Sequence, residues 1–207
     1  MINTQLFCKA LKFAAHAASK KDVRFYLVGV RVEWVGDELT LVGTDGNRLA
    51  RITLRTSVPS AMPMAVTIKL EDVKRILTAI GKDKGQADLM IVNHVDKAQR
   101  PTVKITAAGV TLDLTGLEGV YPQWERILPP DDRQPGAMPC IDATFVAEAC
   151  DAVKAFTSPT KGQHFVRLVP GPGALDAVNV TPAPGHLADG HLVLACQVLI
   201  APMRAAK

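Results

Sequence analysis

The feature that most constrains this chain is repetition: an amphipathic helix followed by alternating strands occurs three times along its 207 residues. In the first copy a helix over residues 4–18 places Phe7, Leu11, Ala14 and Ala18 on one face. Strands follow over residues 23–34, 39–43 and 48–54, with Gly36-Asp37 and Thr44-Asp45-Gly46-Asn47 supplying turn chemistry. In the second copy a short strand over 66–69 leads into a helix over 70–80, whose Val73, Ile76, Leu77 and Ile80 face inward. Gly81 stops it, and strands over 88–93, 102–106 and 110–114 follow, the last two joined by Ala108-Gly109. The third copy opens with a short strand near Cys140-Ile141 and Asp142 as an N-cap. Its helix over 143–156 turns Phe145, Ala149, Ala152, Val153 and Phe156 inward, ahead of strands over 164–169, 175–180 and 192–200.

One helix and a few strands cannot bury both of their faces alone, so such units must pack side by side in an α+β layered fold. Pro-rich breaks at residues 58–63 and 129–139 separate the copies. They predict a two-unit domain over 1–130 (1–58 and 59–130), then a linker and a third unit over 131–207.

The net charge is +4, and the positive excess lies in the first third of the chain. Opposite its apolar face the first helix carries Lys9, Lys12, His16 and Lys20, and the second carries Lys74, Arg75 and Lys82. The outer side of the third mixes Lys154 with Glu148 and Asp151. Any one such stripe reads as a solvated face. Two on equivalent helices of repeated units suit a phosphate backbone, because neutralisation by Lys and Arg needs no particular base sequence.

Catalytic and metal chemistry find little support. The chain has no Gly-rich phosphate loop, GxSxG elbow, paired-carboxylate motif or HExxH pattern, so neither an enzyme nor a cofactor is expected. Cys8, Cys140, Cys150 and Cys196 form no CxxC pair, and reduced thiols are expected instead of a zinc site. No apolar run approaches the roughly 20 residues of a membrane helix. The N-terminus also lacks the pattern of a secretory signal. A cytoplasmic protein without a membrane partner is the expectation.

Four stretches carry a resemblance. Residues 22–30, beginning Asp22-Val23-Arg24-Phe25-Tyr26-Leu27, and Gly43-Thr44-Asp45-Gly46-Asn47-Arg48-Leu49-Ala50 resemble the middle domain of the beta sliding clamp of bacterial DNA polymerase III. Val120-Tyr121-Pro122-Gln123-Trp124-Glu125-Arg126-Ile127-Leu128-Pro129 is similar to that family's domain-closing segment. Val198-Leu199-Ile200-Ala201-Pro202-Met203-Arg204 is similar to its C-terminal strand.

The resemblance implies a DNA-clamp fold, a ring of helix-plus-strand units with helices lining the hole and sheets outside, and a processivity factor without catalysis. Its partners would be double-stranded DNA and DNA polymerases or other clients that dock a short peptide. Matched by position, the peptide pocket would comprise Leu27, Thr44, Asn47, Arg48, Leu49, Pro122, Arg126, Ile127, Leu199, Pro202, Met203 and Arg204. Leu, Ile, Met and Pro would form an apolar groove, with Arg and Thr fixing polar groups at its rim. Arg24, Phe25 and Tyr26 match a loop that touches DNA in the family, and an Arg beside two aromatics suits phosphate and exposed bases, with Arg24 and Tyr26 the expected DNA contacts.

Asn47 replaces the family's usual His, and Ala201 stands where Met is common, which bears on client choice. Family rings contain twelve units, so three per chain imply a homotetramer. A decoy that captures client peptides without encircling DNA is the alternative reading.

Overall fold

The computed structural model describes residues 2–92, 102–129, 134–173, 176–188 and 192–202. Helix α1 spans Thr4–Ala17, and the Asn3 side chain caps it by accepting the Leu6 N–H at 2.9 Å. Helix α2 spans Leu70–Ile80, with Glu71 and Asp72 in its first turn, where the helix dipole favours acids. Helix α3 spans Ala143–Lys154, and the Asp142 carboxylate caps it from the Thr144 N–H at 2.7 Å.

α1 lies between the other two helices. Its buried residues therefore run most of the way round it and include Leu6, Cys8, Ala10, Phe13 and Ala17 as well as the expected stripe. Lys9 and Lys12 remain exposed. Across the α1–α3 contact, the Phe13 and Phe156 rings meet edge-on at 5.5 Å.

Among the described residues the strand pairs are all antiparallel. One sheet has the order β1 (Ile2–Asn3), β4 (Gln86–Val92), β5 (Thr102–Ala107), β6 (Val110–Thr115). The other has the order β2 (Gly29–Thr44), β3 (Arg48–Lys69), β9 (Val193–Ile200), β8 (Val178–Pro182), β7 (Val166–Val169). In the second sheet β9 pairs directly with β3, Arg48 opposite Ile200 and Leu49 opposite Leu199. The third unit thus adds its strands to the first unit's sheet. In space the order is second, first, third.

The larger apolar core among the described residues runs through all three units, from Phe7, Leu11 and Ile52 to Ile76, Val103, Val153 and Val198. Each such large side chain, fully buried, stabilises the fold by about 1.5–3 kcal/mol. Gly43 lets α1 approach the sheet, because a Cβ there would overlap the Ala14 carbonyl oxygen.

Several local expectations change. Residues 58–63, expected as a Pro-rich break, belong to β3. Between Trp34↔Met64 and Glu38↔Arg55 the β2–β3 register shifts, so a short span of β2 faces a much longer span of β3. Pro59 and Pro63 fall in that irregular span, where their missing N–H groups break no ladder. Gly36, at φ 57°, is not a hairpin turn: it bends β2 in the same irregularity. Both ends of β2 consequently return to the C-terminal end of α1, where Leu27 O accepts the Ser19 N–H at 3.0 Å and Gly43 packs on Ala14.

Residues 25–27, expected in a strand, form a 3-10 turn, Phe25–Leu27. The cause lies just upstream. The Asp22 carboxylate accepts the Arg24 N–H at 2.8 Å, closing a local turn that competes with extended backbone. No strand forms at Cys140-Ile141, and residues 134–142 hold neither helix nor strand. The expected strand positions 93 and 175, and the linker residues 130–133, lie outside the described residues. Among the described residues no helix is long and apolar enough to cross a membrane.

Candidate functional site

A cleft of about 540 Å³ opens where the β2–β3 hairpin, the 122–129 segment and the end of β9 converge. Register explains the meeting: β9 alongside β3 brings Leu199 opposite Leu49, and the Ala201 N–H donates to Asn47 O at 2.8 Å. The 122–129 segment folds as a 3-10 turn, Trp124–Ile127, beneath the cleft. There Tyr121 and Trp124 join Val42, Leu49 and Leu199 in a small apolar cluster of their own, with Leu128 and Ala177 against it. The Tyr121 hydroxyl donates to Val42 O at 3.2 Å, and burial pushes its pKa well up, so it stays protonated. Arg51 lies over the Trp124 ring at 5.4 Å.

Of the pocket residues expected from sequence, the cleft gathers Thr44, Asn47, Arg48, Leu49, Arg126, Ile127, Leu199 and Pro202. Leu27 and Pro122 do not line it: Leu27 is buried in the 3-10 turn after Arg24, and Pro122 is exposed. Met203 and Arg204 lie outside the described residues. Leu128, Pro129, Pro172, Asp176, Ala177 and Ala201 also line the cleft. Pro172 and Asp176 come from a third-unit loop in which Gly173 N–H donates to Asp176 Oδ2 at 2.9 Å. That loop is held by the 134–139 segment through Gly136 N–H to Gly171 O at 3.0 Å.

The rim differs from expectation. Thr44 is spent within the hairpin, donating to Arg48 O at 2.7 Å and accepting the Gly46 N–H at 3.1 Å. Arg48 is similarly committed. Its guanidinium donates to Asp45 Oδ2 at 3.1 Å and to the Glu148 carboxylate on α3, and it lies over the Phe145 ring at 4.6 Å. These two residues order the cleft wall, while Asn47, Arg126 and the half-exposed Ile127 face outward. Arg48 also lines a second cleft, between α1 and α3, together with Lys9, Lys12, His16, Lys20, Glu148 and Asp151.

The basic residues expected to meet DNA divide into two groups. Lys9, Lys12, Lys20, Lys74 and Lys82 are exposed. Arg75 is exposed but paired with Asp72 at 2.6 Å, and Arg24 with Asp22 at 2.8 Å. That pairing holds the Asp22 carboxyl at about 2, below the usual range. Tyr26 is half-buried and meets the Phe25 ring edge-on at 5.9 Å. His16 is a correction: it sits partly buried beside Phe13 with Nδ1 on Phe13 O, and burial lowers its pKa. A neutral imidazole adds nothing to the cationic stripe at neutral pH.

Comparison with known proteins bears on this arrangement. Residues 1–123 match the family model for the DNA polymerase III beta subunit, central domain. The chain is similar to the beta sliding clamp of Pseudomonas aeruginosa, 27% identical over 113 residues that cover 55% of this chain and 29% of the relative. It is also similar to the beta sliding clamp of a Synechocystis species, 26% identical over 134 residues covering 58% and 32%. The match thus spans about a third of each curated relative. In three dimensions it resembles the crystal structure of the DNA polymerase III subunit beta from Pseudomonas aeruginosa, with TM-score 0.70 at 17% identity over 98% of this chain and 65% of that one. The beta subunit from Thermotoga maritima gives TM-score 0.69 at 12% identity, over 99% and 65%.

Proposed function

The chain belongs to the DNA polymerase III beta subunit family, and we propose that it is a DNA sliding clamp, a cytoplasmic, non-catalytic processivity factor. It would encircle duplex DNA and tether polymerases or other clients through a docked peptide. The observation that carries this reading is the cleft, where the β2–β3 hairpin, the 122–129 segment and the end of β9 converge. Its apolar floor of Leu49, Leu128, Ala177 and Leu199 suits the side chains of a short extended peptide. Met203 and Arg204, matched by sequence to the same pocket, are proposed to contact the peptide as well. Lys9, Lys12, Lys20, Lys74 and Lys82 would meet phosphates without reading sequence.

The ring is proposed as a homotetramer closed head to tail. Because the third unit lies beside the first, the joint between chains would be made by the outer edges of the second and third units, near β6 and β7. A solution mass near four times the 22.2 kDa chain is the expected result. A monomer at every concentration, with and without primed circular DNA, overturns the ring.

One observation favours the alternative of a peptide-capturing adaptor: Arg24 and Arg75 are already paired with carboxylates, so part of the cationic face is neutralised. Replacing Lys9, Lys12 and Lys74 with Glu separates the two. A clamp loses salt-sensitive DNA retention and keeps client peptide binding, whereas an adaptor shows no change in either.

A further inference from the structure

The third unit brings a carboxylate to the cleft beside the β2–β3 hairpin, because Asp176 lines it together with Pro172 and Ala177. The carboxylate is held in place. Gly173 N–H donates to Asp176 Oδ2 at 2.9 Å, and Asp176 N–H donates to Gly173 O at 3.1 Å, so the two residues close a turn on each other. The same loop is pinned to the 134–139 segment at Gly136, where an added Cβ would come within 2.3 Å of Gly171 O.

Other polar groups of the cleft are already committed. Thr44 is bonded within its hairpin, and Arg48 is shared between Asp45 and Glu148. Asp176 differs: it is exposed, and among the described residues it pairs with no cation. Arg126, in the Trp124–Ile127 turn, is likewise exposed and forms no ion pair there. The cleft therefore offers a negative group from the third unit and a positive group from the 122–129 segment, over a floor that includes Leu49, Leu128 and Leu199.

We infer that Asp176 sets which peptides this cleft accepts: it selects a segment that carries a lysine or arginine beside its apolar side chains, at the end that reaches the third unit. The inference rests on the peptide-docking reading and adds the charge of the ligand to it. A docked segment covers Asp176 and removes water from it, and a carboxylate left dry and unpaired weakens binding. A cation from the peptide replaces the lost hydration, whereas a glutamate at that place meets a like charge and is rejected. An extended segment turns alternate side chains to one face, so leucines can fill the floor while a neighbouring lysine reaches the rim. A free cation would meet Asp176 and leave the apolar floor bare.

The test is fluorescence anisotropy of the full chain with short labelled peptides that carry two leucines at alternate positions. A lysine, a glutamine or a glutamate occupies each remaining position in turn. At low salt, lysine is expected to bind about 5-fold tighter than glutamine at one end of the peptide, and glutamate weaker than both. Salt near 1 M should shrink that preference. Asp176→Asn keeps an oxygen for the Gly173 N–H and is expected to bring the lysine and glutamine peptides to equal affinity. Asp176→Lys is expected to reverse the order, with glutamate binding tightest. Ile127→Ala, at the exposed lip of the cleft, should weaken all three.

A lysine preference that survives in Asp176→Asn overturns the inference, as does equal binding of the three peptides to the unaltered chain. Those two results leave docking in place, since the leucines still bind. A panel indifferent to Ile127→Ala binds elsewhere, which overturns the inference as well. Binding of no peptide, whichever position carries the charge, refutes the docking reading beneath it.

Discussion

Arg48 joins the hairpin of the first unit to the helix of the third, and breaking that link tests how the cleft beside the β2–β3 hairpin is held. Its side chain is 9% exposed and Glu148 is 48% exposed, so the pair is half in water and screened. A pair of this kind is worth about 0.5–1 kcal/mol. Glu148→Gln should cost no more than about 1 kcal/mol, because Arg48 keeps Asp45. Arg48→Met also forfeits the Phe145 ring contact, about 0.5–1 kcal/mol, and the bonds to Asp45. The expected loss is roughly 2–3 kcal/mol.

The double-mutant cycle should therefore return a coupling of about 0.5–1 kcal/mol at pH 7. The hydrogen bond from Arg48 lowers the Glu148 pKa in the folded chain. Its stabilisation is consequently complete above the unfolded glutamate value of about 4.3 and disappears as pH falls through the depressed folded value. Urea unfolding followed by tryptophan fluorescence at neutral and acid pH measures this, and salt near 1 M should shrink it. A coupling of zero at pH 7, or one unchanged once Glu148 is protonated, refutes the reasoning.

Other outcomes follow from single sites. Leu199→Ala removes a fully buried side chain from the cluster under the cleft and should cost about 2–5 kcal/mol in urea unfolding. It should weaken client peptide binding as well. Ala108 sits at φ 52° in the two-residue β5–β6 turn ahead of Gly109, a conformation that asparagine tolerates better, so Ala108→Asn should raise stability by about 0.5–1 kcal/mol. Cys140 is exposed, whereas burial raises the Cys8 thiol to about 11 and pushes Cys196 higher still. An aromatic disulfide reagent should accordingly label Cys140 quickly in the native protein, and Cys8 and Cys196 only on unfolding.

What the sequence discloses is mostly local. The α1 stripe of Phe7, Leu11 and Ala14 and the Asp142 cap depend on neighbours within a few residues, and both stand in the structure, while Ala18 is the extended C-cap just past the helix. Pro59 and Pro63 signal a break by the same local logic, yet the β2–β3 register shift absorbs them. The Asp22 carboxylate overrides the strand propensity of Phe25 and Tyr26 by folding back on Arg24. The pairing of β9 with β3 joins residues far apart in the chain, and no nearby residue announces it.

The cleft divides along the same line. Leu49, Arg126 and Leu199 were readable because they fall in stretches that resemble a family. Pro172, Asp176 and Ala177 enter only through the docking of the third unit, and Gly171-Pro172-Gly173 by itself says no more than turn. His16 keeps helical step with Lys9 and Lys12, and only the packing of α3 beside α1 shows that its ring is partly buried, which lowers its pKa. Arg48 does line the cleft, and what its own stretch of sequence does not disclose is that Glu148 and Phe145 of the third unit hold its guanidinium there.

The central claim is topological, and retention on DNA tests it most directly. The full chain is incubated with nicked circular DNA, washed at high salt, and the circle is then cut once. A clamp stays on the circle through the wash and is released by the cut, since exposed phosphate contacts alone cannot hold it at that salt. Equal loss from circle and linear DNA during the wash, or equal retention on both, contradicts encirclement.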